Sequence, residues 1–244
     1  MSTMRFSGRV ALVTGGTGGI GWSVAEAFAA EGAEVLVTGL TQVEADAANS
    51  LSTGKSLHAS ALDVTDDEAV SRYFARIARL DVLVNCAGMI RRRDEYDLGV
   101  FERVLAVNLT GTMRTCQAAR ALLARQRGAI VNVASMYSFF GAGHAPGYGA
   151  SKGGVVQLTK SLAREYAKEN VRVNAIAPGW IKTAITKPVH SDPSKSAPIV
   201  ERTPLGRWGD PKDVAGPVLF LCSEAAAFVT GAVLPVDGGY LLTG

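Results

Sequence analysis

The chain has 244 residues, 48% of them hydrophobic, enough to bury the core of one large α/β domain or two small ones. Its 25 basic and 22 acidic residues leave a net charge of +3, and apart from the run Arg91–Arg93, which reads as a solvated face, the basic residues are scattered, so nothing points to nucleic acid. Dispersed cysteines (Cys86, Cys116, Cys222) and histidines, no charged-then-apolar leader and no apolar run of ~18 residues argue against a metal site, a disulfide framework, export and a membrane span; the expectation is a reduced, cytoplasmic protein.

In chain order, RVALVT at 9–14 reads as a first strand. It runs into TGGTGGIG at 14–21, and helical periodicity follows over 22–32. EVLVT at 34–38 and SLHASAL at 56–62 are the next strands, with a helix over 66–80. DVLVN at 81–85 is a fourth strand, followed by a long helical pattern over 100–126. AIVNVA at 129–134, VRVNAIA at 171–177 and AVLPV at 232–236 complete seven strands. Short apolar strands alternating with helices mean parallel pairing, right-handed crossovers and helices on both sheet faces. No linker, repeat or low-complexity tract divides the chain, so 1–244 is expected to be one domain. The segment 184–204, with four prolines and weak periodicity, reads as a long irregular loop over a binding site.

The glycines at 15, 19 and 21 stand between the first strand and the first helix. There they allow a tight turn and bring backbone N–H groups and a helix N-terminus close to a pyrophosphate. The spacing is TGxxxGxG rather than GxGxxG. Asp63 at the end of the third strand would accept from an adenine amino group, or else cap the helix at 66, a task open equally to Thr65 or Asp66. Gly15, Asp63 and Asn85 all fall at the carboxyl ends of strands, where ligands of open parallel sheets bind. Tyr148 and Lys152, at i and i+4, share a helix face. Ser135 ends the fifth strand, and Asn108 sits inside a helix against its propensity, as residues serving a site often do.

TGGTGGIG, NCAG at 85–88, Asn108, Ser135, YGASK at 148–152 and PGWIKT at 178–183 together resemble the short-chain dehydrogenase/reductase family over nearly the whole chain. The resemblance implies a single doubly wound Rossmann-type domain, a nicotinamide cofactor, and hydride transfer to or from a carbonyl or secondary alcohol. It implies Tyr148 as general acid/base, Lys152 on the nicotinamide ribose, Ser135 on the substrate oxygen, and Asn108 holding a water that links Lys152 to solvent. The cofactor would lie along Gly15, Thr17, Gly19, Ile20 and Gly21, then Asp63 and Val64, then Asn85, Ala87 and Gly88. Pro178, Gly179, Ile181 and Thr183 would meet its nicotinamide end. Cys86 stands where the family commonly has a second Asn. The tail at 232–244 resembles one that builds homotetramer contacts. For Tyr148 to work near neutrality its pKa must fall by about three pH units from ~10, or about 4 kcal/mol. A lysine ammonium ~4 Å away at an effective dielectric of ~20 supplies about that much.

Cofactor choice depends on the turn after the second strand, where a carboxylate favours NAD and an arginine NADP. Gly39 stands at the carboxylate position and Leu40 at the arginine position, so neither signature is present. The missing positive charge tips the expectation to NAD over NADP, although Thr41 retains a hydroxyl for a 2′-phosphate. Within the family, AGMIRR at 87–92 and LGRWGDPKDVAG at 205–216 most resemble dehydrogenases of keto-deoxy sugar acids. Arg91 or Arg92 would meet a substrate carboxylate, His144 a hydroxyl, and Trp180 with the 184–204 segment would close over a sugar, sugar acid or polyol. The competing readings are an NADPH-dependent 3-oxoacyl-carrier-protein reductase, which should show a basic patch, and a catalytically silent nucleotide sensor or scaffold.

Overall fold

A computed structural model describes residues 4–52 and 56–243; residues 1–3, 53–55 and 244 of the expected 1–244 domain lie outside the described residues. The strands are β1 (Val10–Thr14), β2 (Glu34–Gly39), β3 (Leu57–Ala61), β4 (Val82–Asn85), β5 (Ala129–Val133), β6 (Arg172–Pro178) and β7 (Val233–Val236). They form one parallel sheet in the order β3-β2-β1-β4-β5-β6-β7. The helices are α1 (Gly19–Ala30), α2 (Gln42–Leu51), α3 (Asp67–Phe74), α4 (Leu98–Leu105), α5 (Gly111–Gln126), α6 (Pro146–Tyr166), α7 (Lys187–His190), α8 (Pro193–Arg202) and α9 (Pro211–Cys222).

The strands are apolar on both sides because both faces are covered. Val13, Val35, Val37 and Val84 face Val24 and Phe28 of α1 and Val214 and Val218 of α9. Leu12, Leu83 and Ile130 face Cys116 and Leu123 of α5, Leu162 of α6 and Phe74 of α3. After β3 the chain crosses β2 and β1 to lay β4 beside β1, and this reversal opens a crevice at the carboxyl ends of β1 and β4.

Three elements differ from the sequence expectation. The helix expected to reach residue 80 stops at Phe74; Arg79 turns instead to make a two-pronged ion pair with Asp81, next to β4. The long helix over 100–126 begins earlier, at Leu98, where Asp97 caps it, and is broken by a π-turn at Ala106–Thr110. The segment 184–204 is not irregular: it holds α7 and α8. Its prolines hide a helix start, since Asp192 caps α8 and Pro193 occupies its first turn, where a missing N–H costs nothing. Pro198 lies within α8, but the apolar Ile199 still anchors the helix, and Trp208 Nε1 donates to Ser196 Oγ at 2.8 Å. Among the described residues no helix is long and apolar enough to cross a membrane.

Candidate active site

The glycine turn between β1 and α1 is built for close approach. Gly15 has φ +61°, and a Cβ there would fall 2.6 Å from the backbone of Ala87. Gly19 has φ +54° and lies under Thr183, whose Cγ2 would be 3.3 Å from a Cβ. Gly21 packs directly on the Gly15 carbonyl. The helix that follows has Gly18 as its cap, makes no side-chain cap bond and carries no acidic residue in its first turn. Its leading N–H groups therefore remain open to an anion.

Two adjoining cavities extend from this turn and share Gly15, Gly88 and Met89. One, of about 350 Å³, contains Gly19, Ile20, Gly21, Ser135, Tyr148, Lys152, Pro178, Gly179, Ile181 and Thr183. The other, of about 770 Å³, runs past Thr17, Leu40, Asp63, Val64 and Ala87. Together they give the extended, glycine-floored trough that a dinucleotide needs, and the residues present fit one. β3 and β5 end two residues before Asp63 and Ser135, which still lie at the carboxyl edge. Asp66 caps α3, so Asp63 is not needed for that. One Asp63 oxygen, Oδ1, accepts from the Thr65 N–H and hydroxyl, at 2.8 and 2.7 Å.

Asn85 is placed differently. Its side chain is buried among Thr115 Oγ1 (2.8 Å), Asn132 Oδ1 (2.9 Å) and Cys116 Sγ (3.2 Å), behind the sheet edge and away from the trough. A direct side-chain bond from Asn85 to a cofactor is ruled out by that network.

The four polar residues expected to converge do so, with different partners from those expected. Asn108 sits in the π-turn, fully buried. Its Nδ2 donates to Met89 O and Ser151 Oγ, both at 2.9 Å, and its Oδ1 accepts from Met89 N at 2.8 Å. The amide is thus committed to holding the β4 loop, with only one lone pair of Oδ1 left for a water. A Cβ on Gly88 would lie 3.3 Å from Asn108 Oδ1 and 3.6 Å from Lys152 Nζ, so the bare backbone there is what lets the two approach. Lys152 Nζ donates to Val133 O at 2.7 Å, and burial lowers its pKa to about 8. The Tyr148 pKa is raised, not lowered: burial dominates, the Ser135 hydroxyl and the Arg92 charge oppose it, and Glu95 adds to it. Lys152 is not among the groups that set the Tyr148 pKa in the free protein; its Nζ is bonded to the Val133 carbonyl and lies 5.7 Å from the centre of the Tyr148 ring.

Three functional neighbours were not anticipated. Glu95, 1% exposed, accepts the Tyr148 N–H at 2.8 Å through one oxygen and the Arg91 N–H at 2.7 Å through the other. The Ala145 cap of α6 makes no side-chain cap bond, so Glu95 supplies from across the fold the carboxylate that this helix start lacks. Tyr137 is an aromatic hub, edge-on to Phe140, His144, Tyr148 and Trp180 at 5.2–6.3 Å between ring centres. Glu44 reaches the turn after β2, bonded to Leu40 N at 2.7 Å. A buried carboxylate in the string RRRDEYD carries no local signal of where it points. Tyr137, two residues past Ser135, was readable as a residue at the sheet edge.

The substrate candidates separate. Arg92 donates to Ile185 O at 3.3 Å, and its charge acts on Tyr137, Tyr148 and His144. His144 and Trp180 both pack on Tyr137. Arg91 faces the other cavity, with Asp94, Asp97 and Arg103. Among the described residues the buried Trp180 indole N–H has no partner. Cys86 lines the smaller cavity, and burial pushes its thiol up to about 12.

The family model described as Enoyl-(Acyl carrier protein) reductase matches residues 15–241. The chain belongs to the short-chain dehydrogenase/reductase family. This dehydrogenase/reductase is 40% identical to the 2-dehydro-3-deoxy-D-gluconate 5-dehydrogenase of Bacillus subtilis, over 96% of the chain and 95% of the relative. It is also 40% identical to a 3-oxoacyl-[acyl-carrier-protein] reductase of Aquifex aeolicus, over 97% and 98%. A solved structure from Agrobacterium tumefaciens, described as a candidate 2-deoxy-D-gluconate 3-dehydrogenase with bound NADP, superimposes with a TM-score of 0.89 at 40% identity, covering 99% of this chain and all (100%) of that one. The protein is an NAD(P)-dependent oxidoreductase acting on CH–OH groups, with the expected seven-stranded Rossmann-type sheet.

Proposed function

We propose that this enzyme interconverts a secondary alcohol and a ketone on a small polyhydroxylated carboxylate, such as a keto-deoxy sugar acid. The observation that carries this reading is Arg92, which donates to the carbonyl of Ile185 on the wall of the smaller cavity and whose charge acts on Tyr148, Tyr137 and His144. A guanidinium whose charge reaches phenol hydroxyl and imidazole groups suits a ligand that combines a carboxylate with hydroxyls. The B. subtilis and A. tumefaciens relatives, by their names, act on compounds of this kind.

When bound, a nicotinamide supplies or takes up the hydride. Tyr148 gives a proton to the carbonyl oxygen in reduction and takes it from the alcohol in oxidation. Ser135, which lines the same cavity as Tyr148 and whose hydroxyl counters the rise in the Tyr148 pKa, holds that oxygen. Lys152, whose Nζ is bonded to the Val133 carbonyl, would hold the nicotinamide ribose. Asn108 fixes the loop that floors the site. NAD is read as the preferred cofactor, from the lack of a basic side chain at residues 39–41; the NADP in the A. tumefaciens relative weighs the other way. The whole chain is read as one cytoplasmic domain with 184–204 as its substrate cover. Exposed Phe228 and Leu242 support a homotetramer built on the C-terminal edge.

The test follows reduced-nicotinamide absorbance across sugar acids and polyols with NAD, and acetoacetyl thioesters with NADPH. Turnover of a sugar acid, with an Arg92→Ala variant raising KM for acids but not for neutral polyols, is the expected result. Turnover of thioesters alone would replace this reading with the carrier-protein reductase that the A. aeolicus relative is named for. No turnover with a binding-competent protein would favour the sensor.

A further inference from the structure

The turn after β2 has a carboxylate that the position at its end lacks. Gly39 leaves the usual ribose-binding position without a side chain. It also leaves no room for one: a Cβ there would lie 2.9 Å from Glu44 Oε2 and 2.8 Å from Thr17 Oγ1. Glu44 is the third residue of α2, five positions further on, and its carboxylate folds back over the turn. Oε2 accepts from Leu40 N at 2.7 Å and Thr41 N at 3.4 Å, while Thr41 Oγ1 accepts from Glu44 N at 3.2 Å. This reciprocal cap places a negative charge in the same cavity as Gly15, Thr17, Leu40 and Asp63.

We propose that Glu44 is the cofactor selector of this enzyme, standing in for the missing strand-end carboxylate and favouring a dinucleotide with a free ribose 2′-hydroxyl. The assignment rests on the nicotinamide-binding reading given above. The carboxylate acts in two ways. It offers a free lone pair to a 2′-hydroxyl. It also occupies the Leu40 and Thr41 N–H groups, the backbone donors that a 2′-phosphate would need, and repels the phosphate dianion. Among the described residues, the basic ones lining this cavity, Arg91 and Arg103, come from the segment after β4 and from α4, not from the β2–α2 turn. The Thr41 hydroxyl, expected from sequence to serve a phosphate, accepts from the Glu44 N–H and so is held beside the carboxylate that would repel that phosphate.

Glu44→Gln removes the charge and keeps an acceptor for the cap, so it separates selection from helix stability. Dissociation constants of NADH and NADPH would be measured by quenching of tryptophan fluorescence on wild type and variant, with thermal unfolding alongside. The expected result is wild-type preference for NADH, and in the variant a gain in NADPH affinity of about tenfold, the size of one partly screened like-charge contact. NADH should weaken by no more than a few-fold, and Tm should hardly move. Equal wild-type affinities, a wild-type preference for NADPH, or an NADH/NADPH ratio unchanged by Glu44→Gln would overturn the assignment. Failure of wild type to bind either nucleotide would overturn the nicotinamide reading, and this assignment with it.

Discussion

The two ends of the trough solve the same problem, holding polar groups in a fixed place, by opposite means. At the Tyr148 end, Asn108, Ser135 and Lys152 are at most 6% exposed and come from separate elements, held by bonds through Met89, Ser151, Ser138 and Val133. At the Asp63 end the groups are exposed or half-buried, and short-range motifs fix them: the Thr41–Glu44 cap and the Asp63–Thr65 turn. A buried cluster is over-determined and intolerant, because each lost partner strands another polar group. An exposed cap can be changed at little cost to the fold, so chemistry is expected to be fixed at one end while cofactor choice stays adjustable at the other.

The sharpest way to break that contrast is at Tyr148. Tyr148→Phe keeps the ring against Tyr137 and removes only the hydroxyl. Turnover should fall about 10²–10⁴-fold, the usual contribution of a positioned acid/base, while nucleotide affinity stays within about twofold. Near-normal turnover would mean that proton transfer runs through another group and that the buried end is merely structural.

Lys152 tests whether its burial is as costly as the geometry implies. Its pKa is near 8 in the folded protein against 10.5 when exposed. Below pH 8 both states are charged and the folded protein bears the full penalty. Between about 8 and 10.5 the unfolded chain holds more protons, so wild-type stability rises with pH. Relative to Lys152→Met, wild type should therefore gain about 3 kcal/mol between pH 7 and pH 10.5. Denaturant unfolding of both proteins at the two pH values measures this, and a flat difference would refute the assignment. Glu95→Ala should come next, at about 2 kcal/mol of stability, since it leaves the Tyr148 and Arg91 N–H groups without their acceptors. If Glu95 also positions Tyr148, kcat should fall about tenfold with KM hardly changed, and Glu95→Gln should recover part of it.

What the sequence disclosed follows the same division. Tyr148, Lys152, Ser135 and Asn108 were legible because their chemistry lives in their side chains and their spacing sets them on one edge. The sheet was legible because strands covered on both faces must be apolar throughout. Asn85 misled, since its place at a strand end suggested a ligand. Strand parity places it with Leu83, facing α5, and its register partners Thr14 and Asn132 complete a buried polar strip. Glu95 and Glu44 were illegible for a different reason: each acts on a backbone N–H, which every residue has, so no side-chain pattern marks the contact. The helices within 184–204 were hidden because proline was read as a breaker when Pro193 is a helix start.

The smallest expected effect sharpens the comparison at the adjustable end. Asp63 spends Oδ1 on Thr65, so the carboxylate is held in place while its other oxygen remains for an adenine amino group. Asp63→Asn can keep the bond to the Thr65 N–H through its carbonyl, but its NH₂ would then face the adenine donor. Replacing one acceptor by a donor at this half-buried site should weaken AMP and NADH alike by about three- to tenfold, about 1 kcal/mol, and leave kcat at saturating cofactor unchanged. Titration of both ligands against wild type and variant measures it. A loss in NADH alone would place the contact at the nicotinamide half, and a fall in kcat would mean that the two ends of the trough are coupled rather than separable.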